Sequence, residues 1–186
     1  DAQKGWQRIQ ELNITGFNVT MPFKTDFLKM ADKLVPAVQQ INATNLLTRR
    51  KGIWTAWNTD IAGVVNSFME AGADPAGNNA LVIGAGGAGR AAARGLEQAG
   101  ATVFVANRTP GPGLFSLEDV PSLLQKCTLV VNTIPQEGLG RTVAGLSCKH
   151  TILDASYTMA PLQRTAVSAG ARYLGGHHWL YHQAVE

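Results

Sequence analysis

Apolar and polar positions follow two different rhythms along this chain, and the change of rhythm divides it. Over residues 3–12, Trp6, Ile9 and Leu12 fall on one face, which predicts a short amphipathic helix. The β-branched run at 14–20 predicts an extended segment, and Pro22 ends its regular pairing, leaving Lys24 near the start of a helix. Phe27, Leu28, Ala31, Leu34 and Val35 then form a helical stripe over 25–40, which Pro36 interrupts. Residues 41–48 and 53–57 read as two strands around the turn at 49–52, a hairpin. Helical spacing returns over 61–69, with Thr59 or Asp60 as its N-cap. Turn residues crowd 71–78, so the domain boundary is expected there.

From residue 81 the rhythm changes to short, continuous apolar runs alternating with helical stretches, the mark of strands buried on both faces of a parallel sheet. Strands are expected at 81–83, 101–106, 129–132, 151–154 and 171–174. Helices are expected at 91–99, from a Ser116 cap through Gln125, at 162–169, and after the Gly175-Gly176 turn, where Trp179, Leu180 and Gln183 lie. The expected fold class is α/β: a Rossmann-like doubly wound parallel sheet with right-handed crossovers, preceded by a smaller α/β domain. That gives a smaller part over 1–74, a dinucleotide-binding domain over 75–175, and a final helix over 176–186. Residues 108–117 fit badly, because turn residues stand where a crossover helix is usual; the helix is abbreviated or residues are missing.

The junction of the first such strand with its helix carries the chemistry. Gly84, Gly86 and Gly89 fit G-x-G-x-x-G, in which the glycines permit the tight turn, the approach of a pyrophosphate and close helix–strand packing. Ala85, Gly87 and Ala88 complete a run whose N–H groups, with the helix dipole, favour phosphate. The next strand ends at Asn107-Arg108-Thr109, where an NAD site would carry an acidic residue for the ribose 2′-hydroxyl. A neutral and then a basic residue favour a 2′-phosphate, so the expected cofactor is NADP.

Composition removes several alternatives. The chain has 186 residues, 45% of them hydrophobic and 16% charged, enough for a sizeable core. It contains no apolar run long enough to span a membrane. The net charge of +3 is scattered, and Arg49-Arg50-Lys51 reads as a solvated turn rather than a nucleic-acid site. Cys127 and Cys148 lack metal-ligand spacing and are expected as free thiols in a reducing compartment. His178 and His182 stand at i, i+4 without a nearby carboxylate in sequence, so no metal site is assigned. The chain begins at Asp1, which is expected of a cropped chain, a processed one or a part of something longer; the default location is the cytoplasm.

Taken together, Asn18-Val19-Thr20-Met21-Pro22-Phe23-Lys24, Ala43-Thr44-Asn45, Asn58-Thr59-Asp60 with Gly63, the glycine run at 84–89, Asn107-Arg108-Thr109, Asp154 with Tyr157, and Gly176 with Gln183 resemble the shikimate dehydrogenase family from about residue 16 to 186. The resemblance implies NADP-dependent reduction of 3-dehydroshikimate to shikimate, with Lys24 and Asp60 as the catalytic pair. It implies that 1–74 is part of the substrate-binding domain and that 176–186 returns to the substrate cleft, with Thr20, Asn45, Asp60, Tyr157 and Gln183 around the small-molecule substrate, and Thr133 and Gly176 among the cofactor contacts. The family's Ser-x-Ser carboxylate anchor has no counterpart here, Trp179 replaces a methionine beside the nicotinamide, and 157–170 is slightly short. Fusion to other pathway domains and the oligomeric state stay open.

Reducing a ketone requires a group that stabilises and protonates the developing alkoxide, and a lysine ammonium can do both. The plain alternatives are a surface lysine at Lys24, an N-cap at Asp60, a strand-edge amide at Asn45 and a solvent-facing Gln183. A broader quinate/shikimate dehydrogenase and a non-catalytic NADP-binding regulatory module are the competing functions.

Overall fold

The computed structural model describes residues 1–109, 111–135, 139–156 and 161–186, with the backbone alone for 140, 141 and 161. The chain divides into two units, Asp1–Thr59 and Asp60–Glu186.

The first unit contains α1 (Ala2–Glu11), β1 (Gly16–Asn18), β2 (Lys33–Leu34), α2 (Pro36–Ile41), β3 (Leu46–Arg50) and β4 (Ile53–Trp57). Its sheet runs β1-β3-β4-β2, antiparallel except for the parallel β2–β4 pair. The hairpin of β3 and β4 turns at Lys51 and Gly52, whose φ angles of 50° and 81° suit a two-residue primed turn. Arg49 in that basic cluster lies over the Trp54 ring and donates to Asn13 Oδ1 at 2.8 Å. Val19, Phe27, Leu28, Val38, Leu47, Trp54 and Ala56 form the core, with Trp6 and Ile9 of α1 packed on it.

The helix expected over 25–40 is three pieces: a 3₁₀ segment Asp26–Met30, strand β2, and α2. Asp32 Oδ2 takes the Trp54 N–H at 2.8 Å, and β2 pairs with β4, so strand pairing overrides the helical stripe. Pro36 opens α2 rather than interrupting a helix, with Val35 extended before it. Ile41 ends α2, and Asn42 turns left-handed at φ 49°, so the strand expected from 41 begins at Leu46.

The second unit contains α3 (Asp60–Glu70), β5 (Asn79–Ile83), α4 (Gly87–Gln98), β6 (Thr102–Asn107), β7 (Phe115–Ser116), α5 (Val120–Lys126), β8 (Leu129–Asn132), β9 (Thr151–Asp154), α6 (Pro161–Ser168), β10 (Arg172–Leu174) and α7 (Gly176–Ala184). The six-stranded sheet is parallel and ordered β10-β9-β8-β5-β6-β7. Numbered along the chain from the other edge, that is the 3-2-1-4-5-6 order of a doubly wound fold. Successive residues of β5 serve opposite faces, as the strand period demands. Leu81 and Ile83 pack with Leu123 and Leu124 of α5 and with Leu162 and Ala166 of α6. Ala80 and Val82 pack with Val64 and Phe68 of α3, Leu96 of α4 and Trp179 of α7.

The crossover between β6 and β7 has no helix among its described residues; Gly111 and Leu114 bridge instead, and a Ser116–Asp119 capping box starts the next helical turn. The contacts divide the chain at Thr59, ahead of the turn-rich stretch at 71–78, because α3 packs on α4 and α7. Among the described residues no helix is long and apolar enough to cross a membrane.

Helices α3 and α4 meet backbone to side at Gly95, where an added Cβ would collide with the carbonyl oxygen of Ile61 and lie 2.9 Å from Val64. Gly95→Ala gains about 1 kcal/mol of helix propensity but incurs an overpacking cost of about 1–3 kcal/mol. The expected result is a lower urea midpoint at unchanged slope; a raised midpoint would mean that the two helices have room to part.

Candidate active site

In the first unit, strand ends bring the motif residues together. Val19 N–H donates to the Asn45 carbonyl at 2.8 Å, and Thr44 N–H to the Lys24 carbonyl at 2.9 Å, so the 18–24 segment lies against 44–45. Asn45 is buried, and its side chain makes a reciprocal pair with Thr59: Nδ2 donates to Oγ1 at 2.9 Å, and Oδ1 accepts the Thr59 N–H at 2.8 Å. Lys24 is half-buried and Thr20 exposed, and the Met21–Pro22 bond between them is cis. Asn58 Nδ2 donates to the Ala43 carbonyl at 3.1 Å, and its buried Oδ1 has no protein partner among the described residues.

In the second unit, Asp60 opens α3 and is 7% exposed. The Trp179 indole N–H, itself buried, donates to the Asp60 carbonyl at 2.9 Å, which pins the start of α3 to α7. Gly63 makes that contact possible, since a Cβ there would lie 2.9 Å from both Gln183 Cβ and Trp179 Cδ1. Gln183 is thus held against the first turn of α3, and Trp179 clamps the two helices together from within the core.

The glycine turn sits where the strand order reverses, between β5 and β8. Gly84 has a φ of 108°, and its absent side chain leaves room for Thr133 Oγ1 and Ile134; a Cβ on Gly89 would collide with the Gly84 carbonyl. Gly86, the N-cap of α4, faces open space. Thr133 is held by donating both N–H and Oγ1 to the Ile83 carbonyl, each at 2.9 Å. Asn107 Oδ1 accepts the Ala85 N–H at 3.3 Å, and its Nδ2 donates to the Thr109 carbonyl at 3.0 Å, so this amide shapes the turn. Arg108 and Thr109 are exposed beyond it. Arg90 reaches back from α4 to the Ala85 carbonyl at 2.9 Å, a contact the motif did not disclose. A turn held open by Gly86 and tightened at Gly84 and Gly89 fits a pyrophosphate over the start of α4.

Gly176 is buried at the head of α7, and Tyr157 lies outside the described residues. The two histidines do have a carboxylate: His178 Nδ1 and His182 Nε2 each lie 3.1 Å from Glu70 Oε2. These contacts hold the Glu70 carboxyl below its usual range. Among the described residues no group of three or more His, Cys, Asp or Glu side chains is placed to hold a metal. Both cysteines are free, and burial pushes the Cys127 thiol up to about 11, which keeps it unreactive.

A parallel sheet in this order, with a glycine turn at its reversal, defines the second unit as a Rossmann-type dinucleotide-binding domain. A family model described as the shikimate dehydrogenase substrate binding domain matches residues 1–47. Shikimate dehydrogenase (NADP(+)) of Haloarcula marismortui is 35% identical over 95% of this chain and 72% of its own length. The crystal structure of shikimate dehydrogenase from Aquifex aeolicus is similar with a TM-score of 0.89 at 26% identity, over 98% of this chain and 74% of the other. The Thermus thermophilus enzyme in complex with NADP(H) and shikimate gives 0.79 at 28% identity, over 95% and 73%. The chain belongs to the shikimate dehydrogenase family.

Proposed function

We propose that the protein catalyses the reversible NADP-dependent reduction of 3-dehydroshikimate to shikimate, with Lys24 and Asp60 as its acid–base pair. The observation that carries this reading is the buried Asp60, placed at the head of α3 by the Trp179 indole in a chain of this family. Bound NADPH supplies a hydride to the substrate ketone. Lys24 stabilises the developing alkoxide and gives it the Nζ proton. Asp60 orients that ammonium and accepts a substrate hydroxyl. Asn45, Thr20, Tyr157 and Gln183 hold the remaining hydroxyls, and the Asn45–Thr59 pair fixes the amide in one orientation. The N–H groups at 84–89 bind the pyrophosphate, and Arg108 with Asn107 and Thr109 binds the 2′-phosphate; Thr133 and Gly176 border the cofactor. The expected setting is the cytoplasm, as one step of aromatic precursor biosynthesis.

NADP⁺ reduction by the full chain, followed with shikimate and with quinate, tests the assignment. Shikimate is expected to turn over faster; faster quinate turnover would make this a broader dehydrogenase, and NADP binding without turnover a regulatory module. Asp60→Asn keeps shape but removes charge, and should lower turnover and weaken substrate binding together. Unchanged rate and affinity would reduce Asp60 to a residue of the helix start, where asparagine serves about as well.

A further inference from the structure

A fully buried carboxylate lies outside the machinery assigned so far. Asp154 ends β9 with no exposed surface, and its side chain ties together loops and a strand along the sheet. Oδ1 accepts Asn132 Nδ2 at 3.0 Å and the Ser156 N–H at 3.1 Å, while Oδ2 accepts the Tyr173 hydroxyl at 3.0 Å. Asn132, also fully buried, folds the loop after β8 by donating to the Ile134 carbonyl at 3.1 Å and accepting its N–H at 3.3 Å. That loop carries Thr133, which fills the space left by Gly84. On the other side, the Ser156 carbonyl accepts the N–H of Gly176, the first residue of α7, at 3.2 Å. A Cβ on Gly176 would lie 2.8 Å from that carbonyl and 2.9 Å from the one before it, so the helix head rests directly on the 155–156 backbone. Tyr173 belongs to β10, the strand that leads into α7. Burial, and then the Asp154 charge, push the Tyr173 hydroxyl far above its ordinary range, so it stays a donor at every working pH.

We propose that Asp154 is a positioning residue that holds the head of α7, and with it Gln183, in register with the loop bordering the dinucleotide turn. The inference rests on the reading of Gln183 as a substrate contact. One carboxylate gathers Asn132, Ser156 and Tyr173, so its loss releases the cofactor-side loop and the helix head together, and displacement of about 1 Å at a positioning group can cost on the order of 10²-fold in rate.

The test compares Asp154→Ala, Asp154→Asn and Gln183→Ala in the full chain, singly and in combination, with KM for shikimate and NADP measured beside the melting temperature. Asp154→Ala should raise both KM values and lower kcat/KM by roughly 10²-fold, whereas Gln183→Ala raises the shikimate KM alone. Asp154→Asn keeps Oδ1 for Asn132 and Ser156 and should recover activity to within a few-fold. Adding Asp154→Ala to Gln183→Ala should change the shikimate KM far less than it does in the native chain, since coupled residues do not add. If Asp154→Ala does not fold, Tyr173→Phe replaces it in the same cycle, with the same non-additivity expected at smaller size. A lower melting temperature with native kinetics, or effects that add independently, would overturn the proposal. An unchanged shikimate KM in Gln183→Ala would overturn the reading of Gln183 and the proposal with it, a result obtained without touching Asp154.

Discussion

Lys24→Ala is expected to lower turnover by about 10²–10⁴-fold, the range for loss of a positioned acid, while NADP binds as before. Lys24 sits in a non-helical turn two residues past Pro22, and its carbonyl is fixed by the Thr44 N–H, so the backbone from which the side chain springs is tied to the segment that carries Asn45 into β3. The glycine turn is formed by the second unit's own backbone, and for that reason cofactor affinity should not follow the loss. Lys24→Arg separates the two tasks of the ammonium: a guanidinium keeps the charge that stabilises an alkoxide but does not release its proton near neutrality. Turnover should recover only in part. Steady-state rates with fluorescence titration of NADPH decide the matter, and an alanine variant within a few-fold of native turnover would make Lys24 a surface residue.

Five of the second unit's six strands were legible because each is a compact apolar run closed by a turn, and both faces of the central strands are covered; the two-residue edge strand β7 offers no such run. Residues 25–40 were not legible in the same way. Phe27, Leu28, Ala31, Leu34 and Val35 have helical spacing, yet the carboxylate of Asp32 and the edge of β4 draw the middle of the segment into the sheet. Periodicity reports which residues are buried, and it cannot tell a helix from a short strand flanked by turns when the partner strand lies some twenty residues away. The site divides similarly. The glycines at 84–89 could be singled out by their own spacing, whereas Asp60 and Asn45 were named only through the order of several motifs that together resemble a family. The Asn45–Thr59 pair, the Trp179 hold on Asp60 and the Glu70 carboxylate between His178 and His182 join positions far apart in sequence, and only the fold brings them together. Asn107 stands between these cases: its place at the end of β6 marked it as a cofactor contact, and the structure adds that its amide braces the turn itself.

That dual position of Asn107 sharpens the expectation for its neighbour. Arg108→Ala should abolish most of a preference for NADP over NAD of about one to three orders of magnitude and leave NAD binding nearly unchanged. A hydrogen bond to a charged group is worth roughly 1.5–3 kcal/mol, so one or two contacts from a guanidinium to a 2′-phosphate account for that range. Arg108 is exposed just past the end of β6, and no acidic residue follows before Glu118 to repel the phosphate. The turn at Gly84 and Gly89 holds its shape through contacts that do not involve the Arg108 side chain, and a pyrophosphate bound there would be common to both cofactors. Asn107→Ala provides the contrast: it frees the Ala85 N–H and the Thr109 carbonyl, and should weaken NADP and NAD alike. Titrating both cofactors into the native chain and the two variants tests the assignment. Equal native affinities, or an Arg108→Ala protein that loses NAD as badly as NADP, would remove Arg108 from the 2′-phosphate site.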